Sequence, residues 1–353
     1  MIKKKAPSPT NPSVVAYKEF KKLGIHKFPI NMFDVYKHYN ISLLSYTEAS
    51  ENANFLKIIN RLREKQVDAF CYKSDKSYIV FYDNMAYPNR IPFTLAHELG
   101  HILLQHHYCS NDGIITRYAT LAQRDWREKS ADAFAGAFIR PAMLIKILNL
   151  KETHDTASVF GVSAQCAEVG NSIAKSFTPL HRFSKVIDYF NDQFHDFIYS
   201  RYCLRCHHSF ILEKSKYCPV CGSNKLVWNN RNLIIFDFLE SPIEEGELAV
   251  NMKYRSYPEQ ENGKTEECFR CDNEEIGDND YCIMCGLETQ NRCSSYSCGE
   301  ILPLNARYCS HCGEKSNYYR LELLPSWEDE YKEIKPKQDS ETKFADWTEE
   351  IPF

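Results

Sequence analysis

The sequence predicts an α+β fold, in which a domain of helices with a small sheet is followed by three small cysteine-rich β units. Two observations predict this division. In the first half of the chain, helical segments with apolar residues at 3.6-residue spacing alternate with short runs of β-branched and aromatic residues. In the second half, twelve of the fifteen cysteines fall into closely spaced pairs. The length of 353 residues is enough for two or three domains.

The helical spacing of apolar residues and the β-branched and aromatic runs predict the elements of the first domain. They are helices at 14–24 and 31–39, strands at Ile41–Tyr46, Ala69–Tyr72 and Tyr78–Tyr82, and helices at Phe93–Leu104, Trp126–Phe138, Ala142–Leu150, Ala164–Ser176 and Phe183–Phe197. Farther along, Lys225–Phe236 resembles a β-hairpin that turns at Asn229 and Asn230.

The same patterns and the composition predict the division of the whole chain. The predicted segments are a disordered lead (1–13), the first domain (14–180), a helical linker (181–200), cysteine unit 1 (201–239), an acidic connector (240–266), cysteine unit 2 (267–288), cysteine unit 3 (289–324) and a disordered acidic tail (325–353).

The apolar run Phe93–Leu104 contains the motif H-E-x-x-H as His97, Glu98 and His101. Positions i and i+4 lie on one face of a helix, so the two imidazoles can bind one Zn²⁺. The glutamate beside the first histidine can then take a proton from metal-bound water, which is the hydrolase interpretation of this motif. The alternative is a helix that carries two histidines by chance.

A hydrolytic zinc site needs a third protein ligand, and the helix that follows offers one. Glu128 and Asp132 are four residues apart and share one helix face. Glu128 is the candidate ligand, and Asp132 is the candidate acceptor for the N–H of a liganding histidine. The alternative interpretation of this pair is a solvated helix face.

His107 is the competing candidate for the third ligand, because metzincins place their third histidine ten positions after the first. Those enzymes need a glycine three residues after the second histidine, to end the helix and turn the chain back. This chain has Leu104 at that position. We therefore prefer Glu128 to His107.

These two motifs resemble those of the ImmA/IrrE metallopeptidases. Arg90–Leu104 is similar to their R-x-x-F-T-x-A-H-E-L-G-H-x-L-L signature, and Glu128–Ala135 is similar to their E-x-x-A-[ND]-x-F-A motif. The resemblance extends over about residues 14–180. One departure is Ser130, where many members carry an acidic residue.

The resemblance implies a zincin-like metallopeptidase domain. It implies that His97, His101 and Glu128 bind the catalytic zinc and that Glu98 is the general base. Members of the family cleave helix-turn-helix repressors in phage immunity, mobile elements and stress responses. The resemblance therefore implies a protein substrate of that kind for this chain.

The twelve paired cysteines form three tetrads, each with two close pairs ten or eleven residues apart. The tetrads are Cys203, Cys206, Cys218 and Cys221; Cys268, Cys271, Cys282 and Cys285; and Cys293, Cys298, Cys309 and Cys312. Such spacing suits tetrahedral structural Zn²⁺, whereas disulfides would require a secreted protein. The tetrads resemble zinc ribbons, and we call the three cysteine units ribbons 1, 2 and 3. The expected metal content is one catalytic and three structural zinc ions.

Charge argues against nucleic acid as the main partner of the ribbons. Between Glu240 and Glu288 there are fourteen acidic and four basic residues, whereas a duplex-binding surface should be basic. Ribbon 1 is more balanced and could touch nucleic acid locally, through Arg201, Arg205, His207, His208, Lys214, Lys216 and Lys225. We expect the ribbons to dock a protein.

Cys71, Cys109 and Cys166 lie outside the tetrads, and we expect them to be small buried apolar residues. A thiolate of Cys71 or Cys109 in the fourth zinc position, as a redox-sensitive block, is the alternative. In the tail, the lone aromatic residues Trp327, Trp347 and Phe353 could form a short docking motif.

The sequence as a whole favours a cytoplasmic zinc endopeptidase. It contains no apolar run close to the ~20 residues that a membrane-spanning helix needs, and no secretory signal. We therefore expect no membrane partner. The alternative function is a non-catalytic regulatory protein, in which the first domain only docks and the ribbons bind a protein or nucleic acid.

Overall fold

A computed structural model describes residues 11–73, 77–106, 121–178, 180–228 and 252–334. The chain divides into two compact units, Met1–Ile198 and Tyr199–Phe353. The boundary between them falls inside the segment predicted as a helical linker. The fold class is a mixture of helices and small sheets, as the sequence predicted.

Unit 1 is mostly helical and contains one small sheet. Its helices are α1 (Pro12–Lys22), α2 (Met32–His38), α3 (Tyr46–Ser50), α4 (Ala53–Glu64), α5 (Ile91–Leu103), α6 (Leu121–Ile139), α7 (Ala142–Ile147), α8 (Thr153–Phe160), α9 (Ala164–Ser176), α10 (Ser184–Gln193) and α11 (His195–Tyr199, whose last residue opens unit 2). Its strands are β1 (Ser42–Ser45), β2 (Ala69–Lys73) and β3 (Tyr78–Tyr82).

The sheet has the order β1-β3-β2, with β1 parallel and β2 antiparallel to the central strand. Strand β1 is shorter than predicted, because Ser45 caps α3 and Tyr46 is already helical. The Ser45 hydroxyl accepts a hydrogen bond from the Glu48 backbone N–H, and the Glu48 carboxylate accepts one from the Ser45 N–H. This reciprocal cap turns the chain out of the sheet.

An aromatic cluster joins the two ends of unit 1. The Phe20 ring of α1 lies 5.5 Å from the Phe138 ring of α6 and 5.2 Å from the Phe194 ring, measured between centroids. All three side chains are fully buried. Burial of each contributes about 2 kcal/mol to folding. Most of the predicted linker is therefore part of the unit 1 core, because its aromatic residues face inward.

Unit 2 is built from short strands and turns around the three cysteine tetrads. Its elements are β4 (Ser200–Cys203), β5 (Ser209–Ile211), β6 (Leu226–Trp228), β7 (Asn291–Arg292), β8 (Ile301–Leu302), α12 (Asn317–Arg320) and a final helix at residues 327–334. Strands β5, β4 and β6 form one sheet, and β7 and β8 form another. The predicted hairpin Lys225–Phe236 is described only as far as β6, and its proposed turn lies outside the described residues.

The prediction that the tail is disordered from Pro325 onward is wrong for its first ten residues. Residues 327–334 are helical, and Trp327, Tyr331 and Ile334 pack against the core of ribbon 1. This i, i+4, i+7 spacing puts all three side chains on one helix face. The rest of the tail, with Trp347 and Phe353, lies outside the described residues, as do residues 1–10.

A buried ion pair also holds the helix at residues 327–334. The carboxylate of Glu330 accepts a hydrogen bond from the Arg307 guanidinium of ribbon 3, and both side chains are almost completely buried. Part of the predicted acidic connector is also packed in unit 2, because Met252 and Tyr254 lie in the ribbon 1 core.

In the described part of the chain, no helix is both long enough and apolar enough to cross a bilayer.

Candidate metal centres

Helix α5 holds the H-E-x-x-H motif at the centre of unit 1. Pro92 lies in its first turn, where a missing backbone N–H costs nothing. The Tyr36 hydroxyl of α2 donates a hydrogen bond of 2.8 Å to the Leu95 carbonyl and ties the helix to its neighbour. The Nε2 atoms of His97 and His101 lie 3.0 Å apart, on one face of the helix, as their spacing predicted.

Helix α6 brings Glu128 to the two histidines. Its Oε2 atom lies 3.2 Å from His97 Nε2 and 3.6 Å from His101 Nε2. The close approach of the helices depends on Gly100, where a Cβ atom would lie 3.0 Å from the Phe134 ring and 3.3 Å from the Ala131 Cα atom. A side chain at this position would therefore push α6 and its glutamate away from the histidines.

These three donor atoms have the geometry of a zinc site. They all lie within 4.8 Å of one another, and a tetrahedral zinc with ~2.0–2.1 Å bonds would hold its ligand atoms ~3.3 Å apart. The hydrogen bonds from His101 and His97 lower the pKa of Glu128, so its carboxylate is ionised and can bind a cation. About 40% of the Glu128 side chain is exposed, which leaves the site accessible from solvent.

Two further side chains fix the orientation of the histidine rings. His97 Nδ1 lies 2.8 Å from Asp132 Oδ1, so this ring nitrogen donates to the carboxylate and Nε2 is left for a metal. His101 Nδ1 lies 2.8 Å from His106 Nδ1. The structure thus brings Asp132 to its predicted position. His106 was missed as a partner, because one-dimensional spacing does not reveal how the chain turns after Leu104.

Glu98 lies on the inner side of the same helix and is 9% exposed. Burial raises its pKa, while the nearby His101 and His97 side chains oppose the increase. The smallest contribution, which also opposes the increase, comes from the backbone of Cys71 on β2. A buried carboxylate with a raised pKa is a stronger base than an exposed one.

Cys71 and Cys166 are both buried, as expected. The Cys166 sulfur accepts a hydrogen bond of 3.2 Å from the Arg140 Nε–H. Burial, with a smaller contribution from Glu98, raises the pKa of the Cys71 thiol well above its usual range. A neutral thiol is a poor metal ligand, which argues against Cys71 as a thiolate block. Cys109 and the competing ligand candidate His107 lie outside the described residues.

The three cysteine tetrads assemble as the sequence spacing predicted, with four sulfur atoms facing one another in each ribbon. The closest sulfur–sulfur distances are 3.5 Å in ribbon 1, 3.5 and 3.6 Å in ribbon 2, and 3.4 and 3.9 Å in ribbon 3. A disulfide would need about 2.05 Å, whereas tetrahedral zinc with ~2.3 Å bonds needs ~3.8 Å. The donor sets therefore suit closed, four-thiolate zinc sites.

The comparisons with known proteins concern unit 1. Residues 52–170 match the Peptidase_M78 family model, the IrrE N-terminal-like domain. The matched range covers about a third of the chain and includes α5, α6 and the three donor residues. It supports the ImmA/IrrE resemblance and implies a metallopeptidase-type function for this segment. Neither the curated proteins nor the solved structures compared with the chain gave a match.

Proposed function

We propose that the chain is a zinc-dependent endopeptidase whose catalytic metal is held by His97, His101 and Glu128. One observation carries the proposal: Glu128 Oε2 lies 3.2 and 3.6 Å from the two histidine Nε2 atoms. Two imidazoles and one carboxylate are the donor set of hydrolytic zinc, and three protein ligands leave a fourth position for water or substrate. The family match over residues 52–170 supports the same reaction class.

Glu98 is the proposed proton acceptor. Zinc, when bound, supplies a water of lowered pKa and polarises the scissile carbonyl. Burial raises the pKa of Glu98, which favours proton uptake from a water on the histidine side of α5. In the proposed reaction the Glu98 carboxylate accepts this proton and later passes it to the leaving amine.

The proposed binding place for the substrate backbone is the edge of β2. This strand pairs only with β3 among the described strands. The Asp83 N–H donates to the Asp68 carbonyl at 2.8 Å, so this is a hydrogen-bonded pair of the antiparallel β2–β3 ladder. Such pairs alternate with non-hydrogen-bonded pairs, so the N–H of Cys71 points away from β3. In an extended strand, alternate residues face the same way, so Ala69 and Lys73 direct their backbone groups toward the same open edge. A peptide that adds to this edge as a strand would pass beside the metal site.

For the substrate class, we propose a helix-turn-helix repressor or an antitoxin-like protein, cleaved in the cytoplasm to switch gene expression. This part rests on the resemblance of the motifs. We propose that the ribbons recognise a protein. The basic residues of ribbon 1 are partly occupied: Arg205 lies over the Trp327 ring, and His208 Nδ1 lies 3.2 Å from the Met252 carbonyl oxygen. This leaves fewer cations available for phosphate.

Cleavage of helix-turn-helix proteins encoded beside this chain's gene tests the proposal. Purified chain should cut such a protein at one site. A chelator should stop the cleavage, and stoichiometric zinc should restore it. Asp188→Asn, an exposed aspartate on α10, is the matched control and should cleave at the wild-type rate. Tight binding of the protein without zinc-dependent cleavage would favour the non-catalytic regulatory alternative.

A further inference from the structure

Ribbons 1 and 3 pair through the same short segment in each. We call the six residues from the tyrosine before the third cysteine to the glycine after the fourth the second knuckle: Tyr217–Gly222 in ribbon 1 and Tyr308–Gly313 in ribbon 3. The Ser310 carbonyl accepts hydrogen bonds from the backbone N–H groups of Lys216 (2.9 Å) and Tyr217 (3.0 Å).

The reciprocal hydrogen bonds are present as well. The Pro219 carbonyl accepts from the backbone N–H groups of Arg307 (2.8 Å) and Tyr308 (3.0 Å). Each bond from ribbon 1 to ribbon 3 therefore has a counterpart between the equivalent positions in the opposite direction. The backbone contact between the two knuckles therefore has approximate two-fold symmetry.

The side-chain packing repeats this reciprocity. A Cβ atom at Gly222 would lie 2.8 Å from the Tyr308 ring, and one at Gly313 would lie 2.9 Å from the Tyr217 ring. The tyrosine of each knuckle covers the glycine of the other. A surface that pairs with its own equivalent in this way is self-complementary, which is the requirement for an isologous dimer contact.

Ribbon 2 carries the same segment, Tyr281–Gly286, with the same local fold. The Cys282 N–H donates to the Leu287 carbonyl at 2.7 Å, and the Gly286 N–H donates to the Cys282 carbonyl at 2.8 Å. The equivalent bonds in ribbon 3, from Cys309 and Gly313, measure 2.7 and 2.9 Å. The glycine φ angles agree too, at +72° in ribbon 2 and +70° in ribbon 1.

The ribbon 2 knuckle nevertheless has no counterpart within the described part of this chain. Tyr281 is 57% exposed, Ile283 63% and Met284 72%. A Cβ atom at Gly286 would meet nothing within 4 Å. Within residues 252–334 and the other described ranges, no hydrogen bond uses the Tyr281 N–H or the Ile283 carbonyl. The groups that join ribbons 1 and 3 are thus all presented to solvent in ribbon 2.

We propose that the ribbon 2 knuckle binds the same knuckle of a second copy of this chain, in a two-fold dimer. Each Tyr281 ring would cover the partner's Gly286, and each Ile283 carbonyl would accept from the N–H of the partner's Tyr281. The negative charge of Asp280 does not oppose this arrangement, because Lys264 Nζ lies 2.9 Å from its carboxylate. The proposal does not depend on peptidase activity.

Sedimentation equilibrium of the full-length, zinc-loaded chain tests the proposal. The contact is small, so we expect a dimer with a dissociation constant on the order of 10 µM. The double variant Ile283→Asp/Met284→Asp places four carboxylates in the contact and should weaken dimerisation at least ~10-fold. The matched control is Ile301→Asp, an isoleucine that is 51% exposed on β8 of ribbon 3, and it should dimerise like wild type.

Elemental analysis in the same samples checks that ribbon 2 remains folded, since its zinc should be retained in every variant. Tyr281→Ser is a second variant, and it should also weaken the dimer. A wild-type chain that stays monomeric at ~0.5 mM would overturn the proposal, because a dimer with the expected dissociation constant would be almost fully formed at that concentration. A dimer that the double variant leaves unchanged would overturn it too, since the contact would then lie elsewhere.

Discussion

Replacing Asp132 with asparagine should alter both the affinity of unit 1 for zinc and the protons released when zinc binds. In the metal-free protein, burial lowers the pKa of His97. Hydrogen bonds to Asp132 and Glu128, together with the Glu98 charge, outweigh burial and raise the pKa to about 10. At pH 7 the metal-free ring is therefore protonated, and zinc must displace that proton. Wild-type binding should release about one proton from His97.

The magnitude follows from the same pKa. A group with a pKa of about 10 weakens apparent zinc binding at pH 7 by roughly 1,000-fold, so affinity should rise about tenfold per unit of pH above 7. Loss of the carboxylate partner of a liganding histidine costs 10–100-fold in affinity. Because Asp132→Asn also lowers the pKa of His97, less proton competition remains. The net loss at pH 7 should be near tenfold.

Isothermal titration in buffers of different ionisation enthalpy measures both quantities. The catalytic site is first emptied with a mild chelator that leaves the closed cysteine sites loaded. Asp188→Asn is the control, and it should match wild type in affinity and in proton release. Release of no proton by the wild type at pH 7, or unchanged zinc affinity in Asp132→Asn, would refute the role assigned to the Asp132–His97 pair.

Three further predictions concern metal content and stability. Glu128→Ala should lower the zinc content by one ion per chain, measured by elemental analysis, because it removes only the ligand supplied by α6. Gly100→Val should have the same effect through displacement of α6, since its Cβ would lie 3.0 Å from the Phe134 ring. Arg307→Ala should destabilise unit 2 by about 3–5 kcal/mol in chemical denaturation, because it leaves the buried Glu330 carboxylate unpaired.

The local geometry of the candidate sites could be predicted because it depends on short-range rules. The i, i+4 spacing of His97 and His101 requires only that the segment be helical. The Cys-x2-Cys pairs likewise place two sulfur atoms side by side in one turn. Glu128 was preferred to His107 on chemical grounds. Its Oε2 atom lies 3.2 Å from His97 Nε2, and its role as a ligand is a proposal.

Contacts between distant segments could not be predicted in the same way. Phe194 packs on Phe20, although the two residues are far apart in the chain. The sequence around each residue does not show which distant residue it will contact. The pairing of the ribbon 1 and ribbon 3 knuckles could not be predicted either. All three ribbons carry a similar knuckle sequence, so the sequence does not show which two pair. The helix at residues 327–334 was missed because the acidic composition outweighed the spacing of Trp327 and Tyr331, whose burial depends on the ribbon 1 surface.

The most direct test of the metallopeptidase assignment measures zinc content and cleavage in a single preparation of Glu98→Gln. The amide keeps the size of the side chain and does not disturb the three donor atoms, but it cannot accept a proton. We expect about four zinc ions per chain, as in wild type, and no detectable cleavage of a helix-turn-helix substrate that wild type cuts. Cleavage by Glu98→Gln at the wild-type rate, with the full zinc content, would show that Glu98 is not the proton acceptor.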